Sequence, residues 1–413
     1  MFFATAAPDL TDGFLALALA AVVSLLATPV AGALAWRIGA IDEPRERGLH
    51  QISTPRLGGL AILVTVVAAG LVFLPHDHQT RGILIGAAVI AFVGATDDIL
   101  ELKADFKLAG QILAAVIPTA SGVRVEVMTI PFLGHIGLST VPSYVVTVVG
   151  LVALMNVINF IDGVDGLAAG VCTIAAGTFA AIALSLDRDT AGVLSMITAG
   201  ACIGYLRHGF APASIFLGDS GSNLLGYLLG TIVVQGALKT NAVIALVFPL
   251  VILAVPILDS SFVIAKRIKY GRPIYTADKW HFHHRFANIG FSPRRTTLYL
   301  YGWTLTLALL ALALRFVPYS DNHGHFHLGW SLVLAAFGLG ALGASVYLVL
   351  VLEILKLKRW RQFQLRRMSQ AHGEPPPPDR EVDAKLAHEL ETGEFEAVDL
   401  DAARRERGER GRD

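Results

Sequence analysis

A helix needs about 20 apolar residues to cross the hydrocarbon core of a bilayer, and this chain offers stretches of that kind repeatedly. Continuous apolar runs cover residues 13–36, 57–75, 82–96, 107–121, 142–159, 167–186, 191–207, 223–238, 241–264, 297–317 and 328–354, those at 82–96 and 107–121 being the shortest. In lipid every backbone N–H and C=O must find a partner within the protein, which leaves helices or a closed barrel. A barrel would show segments of about ten residues with alternating polarity; these runs are unbroken. The sequence therefore predicts an all-α, polytopic membrane protein with about eleven transmembrane helices. Only 16% of the residues are charged and 54% are hydrophobic, against about 25% charge in soluble domains.

The first run is expected to be retained rather than cleaved as a signal, because no Lys or Arg precedes Arg37 and a signal peptide needs a positive leading region. Eleven crossings put the two termini on opposite sides. With loops assigned alternately, 21 lysines and arginines fall on one side and 5 on the other. The positive-inside rule places the richer side in the cytoplasm, with the N-terminus outside and the C-terminus cytoplasmic. Residues 370–413 hold 13 acids and 7 Lys/Arg after Pro375–Pro378. This stretch is too polar to build a core, and a disordered or loosely helical tail is expected. Two domains result: an integral membrane catalytic domain over 1–369 and a charged cytoplasmic tail over 370–413. Lys plus Arg and Asp plus Glu number 33 each, so the basic surplus of a nucleic-acid binder is absent. Cys172 and Cys202 both sit in apolar runs and cannot supply a disulfide framework or a cysteine-based zinc site.

Four polar clusters interrupt this pattern, all on the 21-charge side. Asp97 and Asp98 end the third run; adjacent carboxylates at a membrane surface suit a divalent ion or a proton-accepting role, though a solvated helix end would look the same. Asn156, Asn159 and Asp162 recur every three residues and share a helical face, followed by Asp165 and Gly166. Polar groups embedded beside apolar helices are costly and usually functional; the plainer alternative is an Asx-rich corner with Asp165 capping the next helix. Gly218-Asp219-Ser220-Gly221-Ser222 opens the eighth run and suits a metal–phosphate complex or a simple capped turn. His281, His283, His284 and Arg285 lie in the longest loop beside Lys279. Their spacing is not that of a metalloprotease zinc site, whereas imidazoles and a guanidinium grip phosphate oxygens well. A basic loop touching anionic lipid is the alternative. His323, His325 and His327 lie on the opposite side and read as a solvated loop.

Carboxylates for a divalent cation together with His, Arg and Lys for anions point to phosphate chemistry. Such a reaction between two phosphate esters needs charge neutralisation and positioning above all. A site at the membrane boundary suits one water-soluble nucleotide and one lipid-borne phosphate. A secondary transporter would also carry intramembrane acids, but near the bilayer midplane and within repeated halves; here the acids gather at one surface and no two-half repeat is visible. A catalytically inactive lipid-binding scaffold would not need the full set of acids.

The chain resembles the polyprenyl-phosphate N-acetylhexosamine-1-phosphate transferases. The matching pieces run in order over roughly residues 45–295: His50-x-x-x-Thr54-Pro55-Arg56-x-Gly58-Gly59, Asp97-Asp98, Lys107-x-x-Gly110-Gln111, Asn156 to Leu167, Gly218 to Ser222 and His281 to Arg285. The resemblance implies a multi-pass inner (plasma) membrane enzyme that moves N-acetylglucosamine 1-phosphate from a UDP-sugar to undecaprenyl or decaprenyl phosphate. UMP is released, a cell-envelope glycan is started, and the active site faces the cytoplasm. It implies Mg2+, with Mn2+ as a substitute, held by Asp219 with Asn159. Asp97 or Asp98 would deprotonate or position the lipid phosphate, and Lys107 would neutralise phosphate charge. Asp162 and Asp165 would bind substrate, Asp165 at the uridine. His281, His283, His284 and Arg285 would hold the diphosphate and the sugar. The partners implied are the UDP-sugar, the polyprenyl phosphate and the membrane, with no nucleic acid; a homodimer is admitted. The His-x-His-His-Arg form matches the branch using UDP-N-acetylglucosamine better than the phospho-N-acetylmuramoyl-pentapeptide transferases, which remain the alternative.

Overall fold

The structure is a computed structural model that describes residues 10–43, 53–130, 134–236, 244–269, 286, 291–319 and 325–350, and residues 378, 380, 381 and 384 of the tail. The chain packs as two compact units, Met1–Ser260 with Thr297–Leu334 and Ser261–Thr296 with Ala335–Asp413. The proposed tail boundary at 369/370 lies outside the described residues.

Helices dominate. They are α1 (Leu10–Ile38), α2 (Gly58–Phe73), α3 (His78–Leu100), α4 (Ala104–Ala120), α5 (Thr140–Ile161), α6 (Leu167–Leu184), α7 (Asp189–Gly209), α8 (Gly218–Gln235), α9 (Ile244–Ile252), α10 (Ala254–Lys269), α11 (Pro293–Phe316) and α12 (Leu328–Leu350). Seven of them, α1, α3, α5, α6, α7, α11 and α12, are long and apolar enough to cross a membrane. Ten of the eleven apolar runs thus coincide with one helix each. The run at 241–264 instead holds two, α9 and α10, separated at Leu253. Pro256 explains the break: its ring would collide with the carbonyl four residues earlier, and α9 ends at that residue, Ile252. Two small antiparallel ribbons complete the described structure: β1 (Ile41–Asp42) with β2 (Thr54–Pro55), and β3 (Val127–Ile130) with β4 (Gly134–Gly137) in the register Val127 opposite Gly137.

In the first unit α8 is the axis. Every residue from Ser220 to Gln235 is buried, and α2, α3, α5, α6 and α7 all pack against it. A helix that is apolar and buried on all sides is a core element. The outer helices have one buried stripe and one apolar exposed face: on α1, Ala16, Ala20 and Ala35 are fully buried while Leu26 and Val30 are exposed. Such a face suits contact with lipid.

Between helices in lipid there is little hydrophobic drive, so close van der Waals packing through small residues takes its place. Two Gly-x-x-x-Gly spacings, Gly200 with Gly204 on α7 and Gly226 with Gly230 on α8, follow this rule. A Cβ on Gly200 or Gly204 would strike the backbone of α1 at Leu17 and Ala21, and one on Gly226 that of α5 at Leu154 and Met155. Ser24 Oγ then donates to the Ala201 carbonyl at 2.6 Å across the same α1–α7 contact.

Candidate active site

Four helices bring their ends together in the first unit. Asp97 and Asp98 lie in the last turn of α3, Lys107 in the first turn of α4, Asn159 in the last turn of α5 and Asp219 in the first turn of α8. The ammonium of Lys107 sits between two carboxylates, 2.6 Å from Asp219 Oδ2 and 2.9 Å from Asp97 Oδ2. The other oxygen of Asp219 accepts from the Asn159 amide, which also donates to Ser222 Oγ at 2.8 Å. Asp219 is thus gripped on one side by a cation and on the other by a neutral amide. Asp97 is tied from behind, its Oδ1 accepting from the Leu102 N–H at 2.7 Å.

Asp98 faces elsewhere. Its two oxygens accept the backbone N–H groups of Asp219 at 2.8 Å and Ser220 at 3.0 Å. It therefore caps the start of α8 from a different helix, satisfying orphan donors and placing negative charge at the positive end of that helix. Gly218 makes the fit geometrically feasible. It holds φ +72°, and a Cβ there would fall on the Asp98 carboxylate.

The Thr54–Gly59 motif has a mechanical role. The Phe216 N–H donates to the Pro55 carbonyl at 2.8 Å, the Gly58 N–H to the Phe216 carbonyl at 3.0 Å and the Gly59 N–H to the Leu217 carbonyl at 3.0 Å. A Cβ on Gly59 would overlap the backbone of Ser220 and Gly221. The segment is a backbone clamp on the residues leading into Asp219. Arg56, within it, pairs with Asp42.

Asp162 follows α5, its backbone N–H bonded to the Asn159 carbonyl at 3.2 Å. Burial pushes its carboxyl well above the usual carboxylate range, and the charges of Asp219, Asp98 and Asp165 add to the rise. Asp165 Oδ2 accepts from the Ala213 N–H at 2.9 Å. The residue before α6 is Gly166 at φ +73°, so Asp165 does not cap that helix and instead ties the turn to the segment before α8. Tyr301 of α11 closes the turn, donating to the Gly166 carbonyl at 2.6 Å.

Asp97, Asp98, Lys107, Asn159, Asp162, Asp165 and Asp219 therefore all belong to one region of the first unit. His281, His283, His284 and Arg285 lie outside the described residues. Two buried amides receive no role from the sequence, Gln111, although it closes the Lys107-x-x-Gly110-Gln111 motif, and Asn223. Their signal was spacing: each lies four residues after a site residue on the same helix, Lys107 and Asp219.

Among the described residues no three His, Cys, Asp or Glu side chains could hold a metal ion by themselves. Mg2+ does not need such a set, because it is usually bound by one or two carboxylates plus substrate phosphates and water. Asp219 and the neighbouring Asn159 amide are oxygen-bearing groups of that kind, and Lys107 between Asp97 and Asp219 shows that the two carboxylates accept a cation between them.

The fold and this centre define a multi-pass membrane protein with a charged site at the end of its apolar helices. Residues 80–237 match the model of glycosyl transferase family 4. The chain is 36% identical over 313 residues, 73% of its length, to 87% of a Bacillus subtilis protein named as a probable undecaprenyl-phosphate N-acetylglucosaminyl 1-phosphate transferase. It is 38% identical over 69% of its length to 78% of the decaprenyl-phosphate N-acetylglucosaminephosphotransferase of Mycobacterium tuberculosis. It is 34% identical over 71% of its length to 95% of the phospho-N-acetylmuramoyl-pentapeptide-transferase of Desulforudis audaxviator. The chain belongs to glycosyl transferase family 4.

Proposed function

We propose that this protein transfers N-acetylglucosamine 1-phosphate from UDP-N-acetylglucosamine to undecaprenyl or decaprenyl phosphate at the cytoplasmic face of the plasma membrane. An oxygen of the lipid phosphate attacks the sugar-bearing phosphorus. The bond from that phosphorus to the oxygen shared with the uridylyl phosphate breaks, and UMP leaves. The observation that carries this reading is the Lys107 ammonium held between Asp97 and Asp219, with Asn159 on the far oxygen of Asp219. The relatives at 36–38% identity are named for N-acetylglucosamine phosphate transfer, against 34% for the muramoyl-pentapeptide relative, and this supports the choice of sugar. The cytoplasmic placement rests on the 21-to-5 distribution of lysine and arginine.

Each residue then has a task. Asp219, with Asn159 beside it, would hold Mg2+. Bound there, the ion would neutralise charge on the diphosphate as the bond to UMP breaks. Lys107 offers a second positive charge to phosphate oxygens. Asp97, tethered by Leu102, orients the lipid phosphate or takes its proton. Asp98 holds the start of α8, and with it Asp219, in place. Asp162 and Asp165 contact the nucleotide, and His281, His283, His284 and Arg285 hold the diphosphate and sugar. The apolar faces of the helices receive the polyprenyl chain.

Purified protein supplied with polyprenyl phosphate, Mg2+ and UDP-N-acetylglucosamine is expected to form a lipid-linked sugar. EDTA should stop the reaction, and excess Mg2+ or Mn2+ should restore it. UDP-N-acetylmuramoyl-pentapeptide should be a poor donor in the same assay. A folded sample that makes no lipid-linked sugar from either donor would remove the transferase reading.

A further inference from the structure

Directly below the charged centre lies a second polar layer. Gln111 Nε2 donates to Asn223 Oδ1 at 2.8 Å and to Asn156 Oδ1 at 3.4 Å. Asn156 Nδ2 returns a bond to Gln111 Oε1 at 2.9 Å and donates to the Val152 carbonyl at 2.8 Å. Asn223 Nδ2 donates to the Asp219 carbonyl at 2.9 Å. Gln111 and Asn223 are each 1% exposed. The three amides come from three helices, and each sits one turn further from the helix end than a residue of the centre: Gln111 after Lys107 on α4, Asn156 before Asn159 on α5, and Asn223 after Asp219 on α8. The second layer repeats three of the four helices of the centre, α4, α5 and α8, with neutral amides throughout.

We propose that Gln111, Asn156 and Asn223 are positioning residues, an amide lock that fixes the axial register and rotation of the three helices carrying Lys107, Asn159 and Asp219. Apolar helix faces can slide with little penalty, because one leucine contact replaces another. Interlocking amides have no such freedom. Sliding one helix by a residue turns its amide about 100° away from its partners and leaves buried polar groups unpaired, a costly state. The same slip would carry Lys107 away from Asp219 by more than the reaction tolerates, since misplacement by about 1 Å can reduce a rate about a hundredfold. The lock lies between the charged centre and the apolar middle of the bundle, so it sets the geometry without touching substrate.

The kinetic part of the test rests on the transferase reading; a distance measurement is independent of it. The single variant Asn223→Leu removes the acceptor 2.8 Å from the Gln111 amide, leaving it only Asn156, and should lower both Tm and kcat. The triple variant Gln111→Met, Asn156→Leu and Asn223→Leu removes all three partners together. Its Tm should recover towards wild type, since replacing all members of a buried hydrogen-bond set by apolar groups of similar shape can be nearly neutral. Its kcat should stay about thirty- to a hundredfold low while KM for UDP-N-acetylglucosamine changes less than about threefold, because the groups proposed to bind the nucleotide are intact. Nitroxides at the exposed positions Asp105, in the first turn of α4, and Ser214, four residues before α8, should give a narrow distance distribution in the wild-type background and a shifted or broadened one in the triple variant. A merely structural role predicts that kcat recovers together with Tm. That result, or an unchanged distance distribution, would overturn the proposal. If the wild-type protein forms no lipid-linked sugar, the transferase reading fails and the distance distribution alone decides the lock.

Discussion

Asp219→Asn is expected to lower sugar-phosphate transfer on the order of a thousandfold, about 4 kcal/mol of transition-state stabilisation, while the protein stays folded. The substitution keeps the shape of the side chain and removes one negative charge. Lys107 retains Asp97 at 2.9 Å, so its ammonium is not orphaned. The backbone N–H of residue 219 still reaches Asp98, so the start of α8 is still capped. What disappears is the carboxylate proposed to meet the metal, together with the charge that draws Lys107 and the Asn159 amide to one point. Lys107→Ala in the same assay should act through phosphate neutralisation and be milder, so the two variants separate metal binding from charge balance. A loss below tenfold in Asp219→Asn would remove Asp219 from the metal role while leaving the reaction class untouched.

Gly94→Ala should be nearly as damaging, by a route that involves no chemistry. Gly94 lies on α3 one turn before Asp98, and a Cβ there would sit 2.5 Å from the Asp219 carbonyl oxygen and from the Ser220 backbone. Both obstacles are main chain, so no side chain can swing aside. Either α3 or the start of α8 must move, and Asp97, Asp98 and Asp219 lie on the two sides of that contact. Overpacking of this kind costs about 1–3 kcal/mol of stability, and a shift near 1 Å at Asp219 lowers the rate about a hundredfold. Gly150→Ala is the matched control. Gly150 lies in α5 with nothing within 4 Å of a Cβ, and alanine there should stabilise the helix by roughly 0.5–1 kcal/mol without changing turnover. Thermal unfolding and turnover on the three proteins check both statements. Wild-type activity in Gly94→Ala would mean that the α3–α8 contact does not set the site.

The helices were legible because lipid imposes one simple demand, length and apolarity, which local sequence records directly. The ninth run reads as one unbroken helix because its apolarity is continuous; the interruption at Leu253 is set by the backbone restrictions of Pro256, which hydropathy does not register. The acids were legible because ionisable groups beside apolar helices stand out. Their division of labour was not. Asp97 and Asp98 are equivalent in sequence, yet they sit about 100° apart around a helix. One meets Lys107, and the other meets the N–H groups of a helix more than a hundred residues later. The amides show the same limit: Asn156 reads as part of a spaced set, but its partner Gln111, and Asn223 which Gln111 also holds, come from other helices and are brought together only by packing. The two glycines of the Thr54–Gly59 motif likewise acquire a meaning only when the backbone they contact is known.

Identifying the nucleotide product tests the central claim most directly. With UDP-N-acetylglucosamine labelled in the phosphate nearest the sugar, polyprenyl phosphate and Mg2+, the label should pass to the lipid, and unlabelled UMP should appear in equal amount. Release of labelled UDP, with an unlabelled sugar on the lipid, would show that the bond broken is the one between sugar and phosphate. It would contradict a centre built to carry a phosphoryl group between two anions.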